Sequence, residues 1–322
     1  MKRVVFDTDI GIDDAMALLF LDASPGVRLE AICTIAGNAS IDNTTRNARH
    51  VCERFSLQTP IFRGSAQCLN GLENDDFPDF VHGQNGLGDI ELSEPTYLAE
   101  LEPAPEAIAR LARENPGELS VVSVGRVTNL AIALQLEPRL PSLLREVILM
   151  GGVFMRNEQG GNVSPVAEAN IAGDPGAADL ILGSGLRATL VGLDVTHLTT
   201  MDESFIHQLR EGGGARGRFI HSITRHYFDF YEGIYGRREC PIHDSSAVAY
   251  LLQPELFETC TGPVRVVTEG IARGQTIMAR SGARYQTDDW EGREPVTACV
   301  GVDAPAVRQL YLDTLLSASE LR

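Results

Sequence analysis

Four aspartates crowd into eight residues near the N-terminus, directly after an apolar run. The run Val4–Phe6 predicts a short buried strand, and the acids follow within Asp7-Thr8-Asp9-Ile10-Gly11-Ile12-Asp13-Asp14-Ala15. Apolar residues Ala15–Leu21 then predict a buried helix that ends before Pro25-Gly26. The acids therefore lie where a strand ends and a helix begins, which is the edge at which open α/β sheets bind ligands.

So many like charges repel one another unless a positive charge lies among them. Acids in the first turn of a helix can simply complement its dipole, and Asp13 can be its N-cap. That interpretation leaves Asp7 and Asp9 unexplained, because the alternation of side chains along a strand places both on one side. We therefore predict a site for a hard divalent cation such as Ca²⁺ or Mg²⁺.

Strands and helices alternate along the chain, which implies right-handed crossovers and an α/β fold with an open, mostly parallel sheet flanked by helices. The further predicted strands are Leu29–Ala36, Pro60–Phe62, Leu119–Val124, Val147–Met150 and Thr189–Leu193. The further predicted helices are Thr44–Phe55, Glu106–Arg113, Thr128–Leu136 and Ala177–Leu182, and the region 204–250 is mainly helical. No linker or break in composition divides the 322 residues, so we expect residues 1–322 to form a single domain.

Polar residues and glycines follow several predicted strands, as a ligand crevice at the carboxyl edge requires, although turns also use them routinely. These residues are Asn38, Gly125, Gly151-Gly152 and Asp194. The long loop Gly64–Glu94 contains Val81–Gly88, which is too rich in glycine for regular structure and too long for a mere connector. We expect this loop to serve the site.

Two further segments carry polar groups with two interpretations each. The loop Gly161–Asn170 carries amides and a carboxylate, which suit the recognition of sugar hydroxyls by hydrogen bonds. The same groups could instead form a buried polar network that holds the loop in place. His243-Asp244 opens a predicted helix, so Asp244 is either its cap or part of the site, with His243 as a proton donor.

Composition narrows the class of partner. The formal net charge of −17 disfavours a nucleic-acid-binding role, because binding to phosphates needs a basic protein surface. No apolar stretch is long enough to span a membrane, and Met1-Lys2-Arg3 leads directly into a strand without the features of a signal peptide, so we expect a cytoplasmic protein. The six cysteines form no CxxC pair, which argues against a zinc site.

The N-terminal acidic segment resembles the DxDxGxDDA signature of the nucleoside hydrolase family, the inosine-uridine-preferring ribohydrolases. Further landmarks occur in the family's order over roughly residues 2–310. They are Ala36-Gly37-Asn38, His82-Gly83, Thr128-Asn129, Met150-Gly151-Gly152, Gly161-Asn162 to Asn170, Asp174-Pro175 and His243-Asp244.

The resemblance implies hydrolysis of ribonucleosides to free base and ribose, with Ca²⁺ at the bottom of the pocket. Asp7, Asp14 and Asp244 would be its carboxylate ligands and Val124 its carbonyl ligand, while Asp9 would be the general base that deprotonates the metal-bound water. The resemblance assigns the ribose to Asp13 (2′-hydroxyl), Asn162 and Glu168 (5′-hydroxyl) and Asn170 (ring hydroxyls), with Asn38 and Met150 alongside. It implies that His243 donates a proton to the departing base and that His82 contacts this base. Tyr231 and Tyr235 would either help in this step or serve only in ordinary helix packing.

The family usually forms homodimers or homotetramers and works in nucleoside salvage or catabolism. This chain departs from the family pattern at Arg126, where Pro is common, and at Ala169, where an aromatic is frequent. Arg126 would repel a cation, so we expect it to face away from the site. The preferred base stays open.

Two alternatives remain. A haloacid-dehalogenase-like Mg²⁺ phosphotransferase also begins with a strand and Asp-x-Asp, but Gly11 stands where that family has Thr. A catalytically silent Ca²⁺-dependent nucleoside-binding protein would share the metal and ribose residues without the reaction.

Overall fold

The computed structural model describes residues 1–72, 76–156, 159–280 and 282–319. Its strands are β1 (Lys2–Thr8), β2 (Val27–Thr34), β3 (Ile61–Arg63), β4 (Leu119–Ser123), β5 (Glu146–Met150), β6 (Ala188–Val191), β7 (Thr200–Asp202), β8 (Glu239–Pro241), β9 (Phe257–Gly262), β10 (Val264–Val266), β11 (Thr276–Met278) and β12 (Val296–Val302). Its helices are α1 (Ile12–Ala23), α2 (Ile41–Phe55), α3 (Asp79–His82), α4 (Ala104–Glu114), α5 (Thr128–Leu136), α6 (Leu140–Leu143), α7 (Ala169–Gly173), α8 (Pro175–Leu182), α9 (Leu193–Thr196), α10 (Glu203–Gly212), α11 (Gly214–Tyr235), α12 (His243–Leu252) and α13 (Ala304–Ser319).

The central sheet has eight strands in the order β3-β2-β1-β4-β5-β6-β12-β9. All neighbours pair in parallel except β9, which runs antiparallel to β12 at one edge. The predicted α/β class with a mostly parallel, helix-flanked sheet is confirmed. Because β1 lies inside the sheet between β2 and β4, the acids that follow it lie near the middle of the carboxyl edge.

The two faces of the sheet bury two separate apolar clusters. Along β1, Val4 and Phe6 belong to one cluster and Val5 to the other, as side-chain alternation in a strand requires. Helices α1, α2 and α10–α13 cover the first face, and α4, α5 and α8 cover the second. The result is a three-layer helix–sheet–helix architecture.

Helix α1 is buried along the whole range from Ile12 to Leu21. It packs against α11, α12 and α13 as well as the sheet, so an almost entirely apolar sequence forms it. The helix stops before Pro25-Gly26, as predicted, and Gly26 takes a positive φ of 80° that favours glycine.

Two departures from the sequence-based expectations affect the loop that we expected to serve the site and the edge of the sheet. Val81-His82 belong to the short helix α3 rather than to irregular structure, although Gly83–Gly88 form no helix or strand. Beyond Tyr250, where we predicted no elements, β9, β12 and α13 complete the sheet and one helical layer. Residues 73–75, within the predicted loop Gly64–Glu94, and residues 157–158 lie outside the described residues.

Among the residues that the structure describes, no helix combines the length and the apolar character that crossing a bilayer demands.

Removal of core volume from α1 should destabilise the protein strongly. Leu19 is fully buried in this helix, so Leu19→Ala is expected to lower the free energy of unfolding by about 3 kcal/mol through lost burial and a residual cavity. Leu136→Ala, at a position 53% exposed in α5, is the matched control and should change it little. Urea denaturation of both variants tests this, and equal midpoints would contradict the packing described.

Candidate active site

A cavity of about 410 Å³ lies at the carboxyl edge of the parallel strands. Most of the predicted site residues line it, namely Asp13, Asn38, His82, Val124, Met150, Asn162, Glu168, Asn170, Tyr231, Tyr235, His243 and Asp244. Asp7, Asp9 and Asp14 do not line the cavity and are fully or almost fully buried. The structure therefore brings residues from positions 13 to 244 to one site.

An acidic cluster forms the floor of this region. Asp13, Asp14 and Asp244 each offer a carboxylate oxygen, and these oxygens lie within 4.8 Å of one another. Within the described ranges, no other group of three such side chains is placed to hold a metal ion. Asp244 joins the cluster from the first turn of α12, so its position as a helix-start residue and its place in the site are compatible.

Asp14 is held firmly between the strand and the helix. One carboxylate oxygen accepts hydrogen bonds from the Gly11 N–H (2.9 Å) and the Asn38 side-chain amide (2.8 Å). The other accepts from the Thr8 hydroxyl at 2.6 Å. These contacts order the turn between β1 and α1 and fix the position of the carboxylate in the cluster.

Asp9 follows the end of β1 and is enclosed by backbone. Its Oδ2 accepts the Asn38 N–H at 2.8 Å, while its buried Oδ1 has no hydrogen-bond partner. A Cβ at Gly37 would lie 1.9 Å from Oδ2 and one at Gly125 would lie 2.7 Å from Oδ1, so glycine is needed on both sides. Burial, reinforced by the charge of Asp14, raises the pKa of Asp9 well above its usual range.

The other acids respond to the same environment. Burial, followed by repulsion from Asp14, raises the pKa of Asp13 to about 7, and its Oδ1 is also buried without a partner. Burial and the charges of Asp13, Asp14 and Asp9 raise the pKa of Asp244 well above its usual range. An all-oxygen set with unpaired buried carboxylate atoms fits a hard cation such as Ca²⁺, which would offset this repulsion.

Asp7, which the resemblance implied as a ligand, is not one of the three grouped carboxylates. Its two carboxylate oxygens accept hydrogen bonds from the Asn129 side-chain amide (2.8 Å) and the Ser123 hydroxyl (3.0 Å). The physical reason is that β1 ends at Thr8, so strand alternation fixes the direction of Asp7 but no longer that of Asp9. Asp7 therefore ties β1 to β4 and α5.

The loop before α7 is both a polar network and a cavity wall. Glu168 caps α7, accepting the N–H groups of Asn170 (2.8 Å) and Ile171 (3.0 Å), and it also accepts that of Gly152 (3.0 Å). The side-chain amide of Asn170 donates to the carbonyl of Val124 at 2.8 Å, and Asn162 accepts the Ala169 N–H at 3.0 Å. The two interpretations of this loop are thus compatible.

One face of α11 supplies an aromatic end to the cavity. The lining residues are spaced at i, i+3, i+4, i+7 and i+8, which places them on one side of a helix. They are Tyr227, Phe230, Tyr231, Ile234 and Tyr235. Tyr231 and Tyr235 stack with ring centroids 5.5 Å apart, so their packing interpretation also has a structural basis.

The two predicted histidines are neutral inside this cavity. Burial lowers the pKa of His82 to about 4, and its Nδ1 accepts the Ile12 N–H at 3.2 Å, so the proton is on Nε2. Burial, with the nearby His197 and His82, holds the pKa of His243 well below its usual range. The Nε2 of His243 shares a hydrogen bond of 2.9 Å with the Tyr231 hydroxyl.

Among the lining residues that the sequence analysis did not assign, two carry a ring with a polar atom. His197, just after α9, and Tyr227 both line the cavity, and neither belongs to a motif that could have indicated it. In contrast, Asp194 points elsewhere, because it accepts the N–H groups of Phe154 (2.7 Å) and Arg156 (2.6 Å) and orders the loop after β5. Arg126 packs close to Gly173 and does not line the cavity, although its positive charge acts to lower the pKa of Asp9.

Comparisons with known proteins agree on one family. A family sequence model described as "Inosine-uridine preferring nucleoside hydrolase" matches residues 4–309. The chain is 34% identical over 317 residues to "Probable uridine nucleosidase 1" of Oryza sativa subsp. japonica, covering 98% of this chain and 97% of that protein. It is 30% identical over 282 residues to the "Pyrimidine-specific ribonucleoside hydrolase RihB" of Escherichia coli strain SE11, covering 87% and 88%.

Solved structures give the same picture. A structure described as "Plant nucleoside hydrolase - PpNRh1 enzyme" superposes with a TM-score of 0.93 at 33% identity, covering 98% of this chain and 99% of that one. The "Purine-Preferring Ribonucleoside Hydrolase from Gardnerella vaginalis" gives a TM-score of 0.91 at 29% identity and covers all of both chains.

Loss of the Asp7 carboxylate should harm stability and spare cation binding. Asp7→Ala leaves the buried amide of Asn129 and the hydroxyl of Ser123 without this acceptor, so we expect the free energy of unfolding to fall by about 2–3 kcal/mol. We expect CaCl₂ to raise the melting temperature of the wild-type protein, and this rise should persist in Asp7→Ala and disappear in Asp14→Ala. Loss of the calcium-induced shift in Asp7→Ala would restore the predicted ligand role of Asp7.

Proposed function

Because the chain belongs to the inosine-uridine preferring nucleoside hydrolase family, we propose that it cleaves ribonucleosides with a calcium ion at the acidic cluster and Asp9 as general base. The observation that carries this proposal is a single cavity whose lining combines Asp13 and Asp244, the polar loop around Glu168, and the aromatic face of α11. The carboxylates suit a cation, the polar loop suits the hydroxyl groups of a ribose, and the aromatic face suits a planar base. The chain is a nucleoside N-ribohydrolase by family.

The proposed ion site consists of Asp14 and Asp244 with the carbonyl of Val124, and Asp13 lies beside it. The unpaired, buried Oδ1 atoms of Asp9 and Asp13 support a positive charge at this position. Calcium, when bound, supplies positive charge that orients hydroxyl groups and makes a bound water more acidic. The contribution of the protein is to hold the carboxylates close together despite their repulsion.

The proposed reaction adds water across the C1′–N bond. The bond breaks with its electron pair going to the base, the water oxygen bonds to C1′, and Asp9 accepts the water proton. The Oδ1 atom of Asp9 is buried without a hydrogen-bond partner, so it is available to accept this proton. The positive charge that develops on the ribose ring is stabilised by the surrounding carboxylates.

The ribose is proposed to lie between Asp13 and the loop before α7. The 2′-hydroxyl is assigned to Asp13, the 5′-hydroxyl to Asn162 and Glu168, and the ring hydroxyls to Asn170. Backbone hydrogen bonds to Glu168 and Asn162 support this assignment, because they hold both side chains in place before the sugar arrives. Asn38 and Met150 complete the wall.

The base is proposed to lie among His82, Tyr231, Tyr235 and His243, where a proton or a strong hydrogen bond neutralises it as it leaves. The hydrogen bond between His243 and Tyr231 supports joint donation by these two side chains. The relatives named uridine nucleosidase support uridine as a substrate, and we expect it to be hydrolysed with a higher kcat/KM than inosine.

The phosphotransferase alternative is not favoured, since family and fold both match nucleoside hydrolases over nearly the whole chain. A silent binding protein is disfavoured by the same comparisons. The resemblance also supports a cytoplasmic homodimer or homotetramer that acts in nucleoside salvage or catabolism.

Ribose release from uridine, cytidine, inosine, adenosine and guanosine tests the proposal directly. We expect release that falls when the protein is stripped with a calcium chelator and returns with CaCl₂, because the cluster requires a cation to offset its charges. MgCl₂ serves as the control ion and should restore less activity, since Mg²⁺ demands a tighter octahedral site. Nucleoside binding without ribose release would indicate the silent binding protein instead.

Substitution of the proposed base should separate catalysis from folding. Asp9→Asn is expected to lower kcat by roughly 10²- to 10⁴-fold, because general base catalysis contributes about that much. Its melting temperature without calcium should match or exceed that of the wild type, since a buried charge is removed. Asp42→Asn is the matched control: it should leave kcat unchanged and alter the melting temperature little, because the exposed ion pair of Asp42 with Arg63 contributes little to stability. A misfolded Asp9→Asn protein, or one with unchanged kcat, would contradict the assignment.

A further inference from the structure

Four rings form a closed group at the aromatic end of the cavity. They belong to His197, Tyr231, Tyr235 and His243, all of which line it. The two tyrosines stack, and the two histidines meet at right angles with ring centroids 5.2 Å apart. His197 is the member of this group to which neither the sequence motifs nor the proposed reaction assigns a role.

Thr196 and His197, which are adjacent in the sequence, each form a hydrogen bond to one of the other rings of this group. The hydroxyl of Thr196 shares a hydrogen bond of 2.7 Å with Nδ1 of His243. Nδ1 of His197 shares one of 2.8 Å with the hydroxyl of Tyr235. A single turn after β6 therefore contacts both polar side chains that lie beside the departing base.

This turn is itself anchored to the sheet edge. The Leu193 N–H donates to the carbonyl of Gly152 at 2.9 Å, and the Thr196 N–H donates to that of Gly192 at 3.1 Å. The Ile242 N–H donates to the carbonyl of Thr199 at 3.0 Å, which joins the segment before His243 to the same region. The turn is thus a fixed support rather than a free loop.

Tyr235 needs such a support more than Tyr231 does. It is the last residue of α11, where the helix ends at Gly236 and the final turn lacks further helical hydrogen bonds. Its neighbour Ile234 is 57% exposed, so packing alone holds this turn weakly. A hydrogen bond from a partly buried histidine reduces the freedom of the Tyr235 ring before substrate binds.

We propose that His197 is a positioning residue for departure of the base: its Nδ1–H donates to the Tyr235 oxygen and leaves the phenolic proton free to face the base. A phenol has one proton and can also accept, so it can fill both roles at once. Thr196 orients His243 from the neighbouring position. This inference rests on the proposed hydrolysis, and it adds the turn of Thr196 and His197 as the part of the protein that orients His243 and Tyr235 beside the base.

The test compares two ribosides that differ in whether the leaving group needs a proton or a hydrogen bond as it departs. The base of uridine requires a proton or hydrogen bond as it departs, whereas p-nitrophenyl β-D-ribofuranoside releases a stable phenolate without one. We expect His197→Ala to lower kcat for uridine by roughly 10- to 100-fold and to leave kcat for the p-nitrophenyl riboside nearly unchanged. His197→Asn should recover part of the loss, because its side-chain amide nitrogen can lie near the position of Nδ1 and donate a hydrogen bond in its place.

His207→Ala is the matched control, because this exposed histidine of α10 lies outside the cavity. Equal losses on both ribosides, or no loss on uridine, would overturn the proposed role of His197. If His197→Ala does not fold, Tyr235→Phe carries the same comparison and must show the same difference between the substrates. A wild-type protein that releases ribose from neither riboside would instead overturn the proposed function, and the inference with it.

Discussion

Repulsion among buried carboxylates is the constraint around which this end of the molecule is organised. Asp9, Asp13, Asp14 and Asp244 lie within or beside one cluster, and burial raises the pKa of three of them, Asp9, Asp13 and Asp244. Such a cluster is costly in an apolar core, so backbone N–H groups and the Asn38 amide donate hydrogen bonds to it. The glycines that flank Asp9 follow from the same requirement, because the backbone must approach the charge closely.

The local part of this arrangement could be predicted from the sequence. Apolar runs that alternate with helical segments gave the central strands, and the acids and amides after those strands indicated the carboxyl edge. Asp7 shows where such reasoning ends. Alternation along a strand applies only while the strand continues, and β1 ends at Thr8, so two aspartates two residues apart turn to different neighbours.

Contacts between distant segments were not accessible in this way. His197 lies next to Tyr235 only because the turn after β6 and the end of α11 meet at the cavity, and no spacing in the sequence indicates that meeting. The same holds for β12, which enters the sheet beside β6, and for β9, which closes the edge in the antiparallel direction. Pairings between strands far apart in sequence depend on the whole tertiary structure rather than on local pattern.

The interior position of β1 has a consequence for how the chain reaches its native state. Strand β1 gains its two neighbours from β2 and, about ninety residues further on, from β4. The acidic cluster that begins after β1 is complete only when α12 has been synthesised, because α12 supplies Asp244. The complete site is therefore assembled late in synthesis, and a nascent chain interrupted before α12 would carry most of the sheet yet lack Asp244 of the acidic cluster.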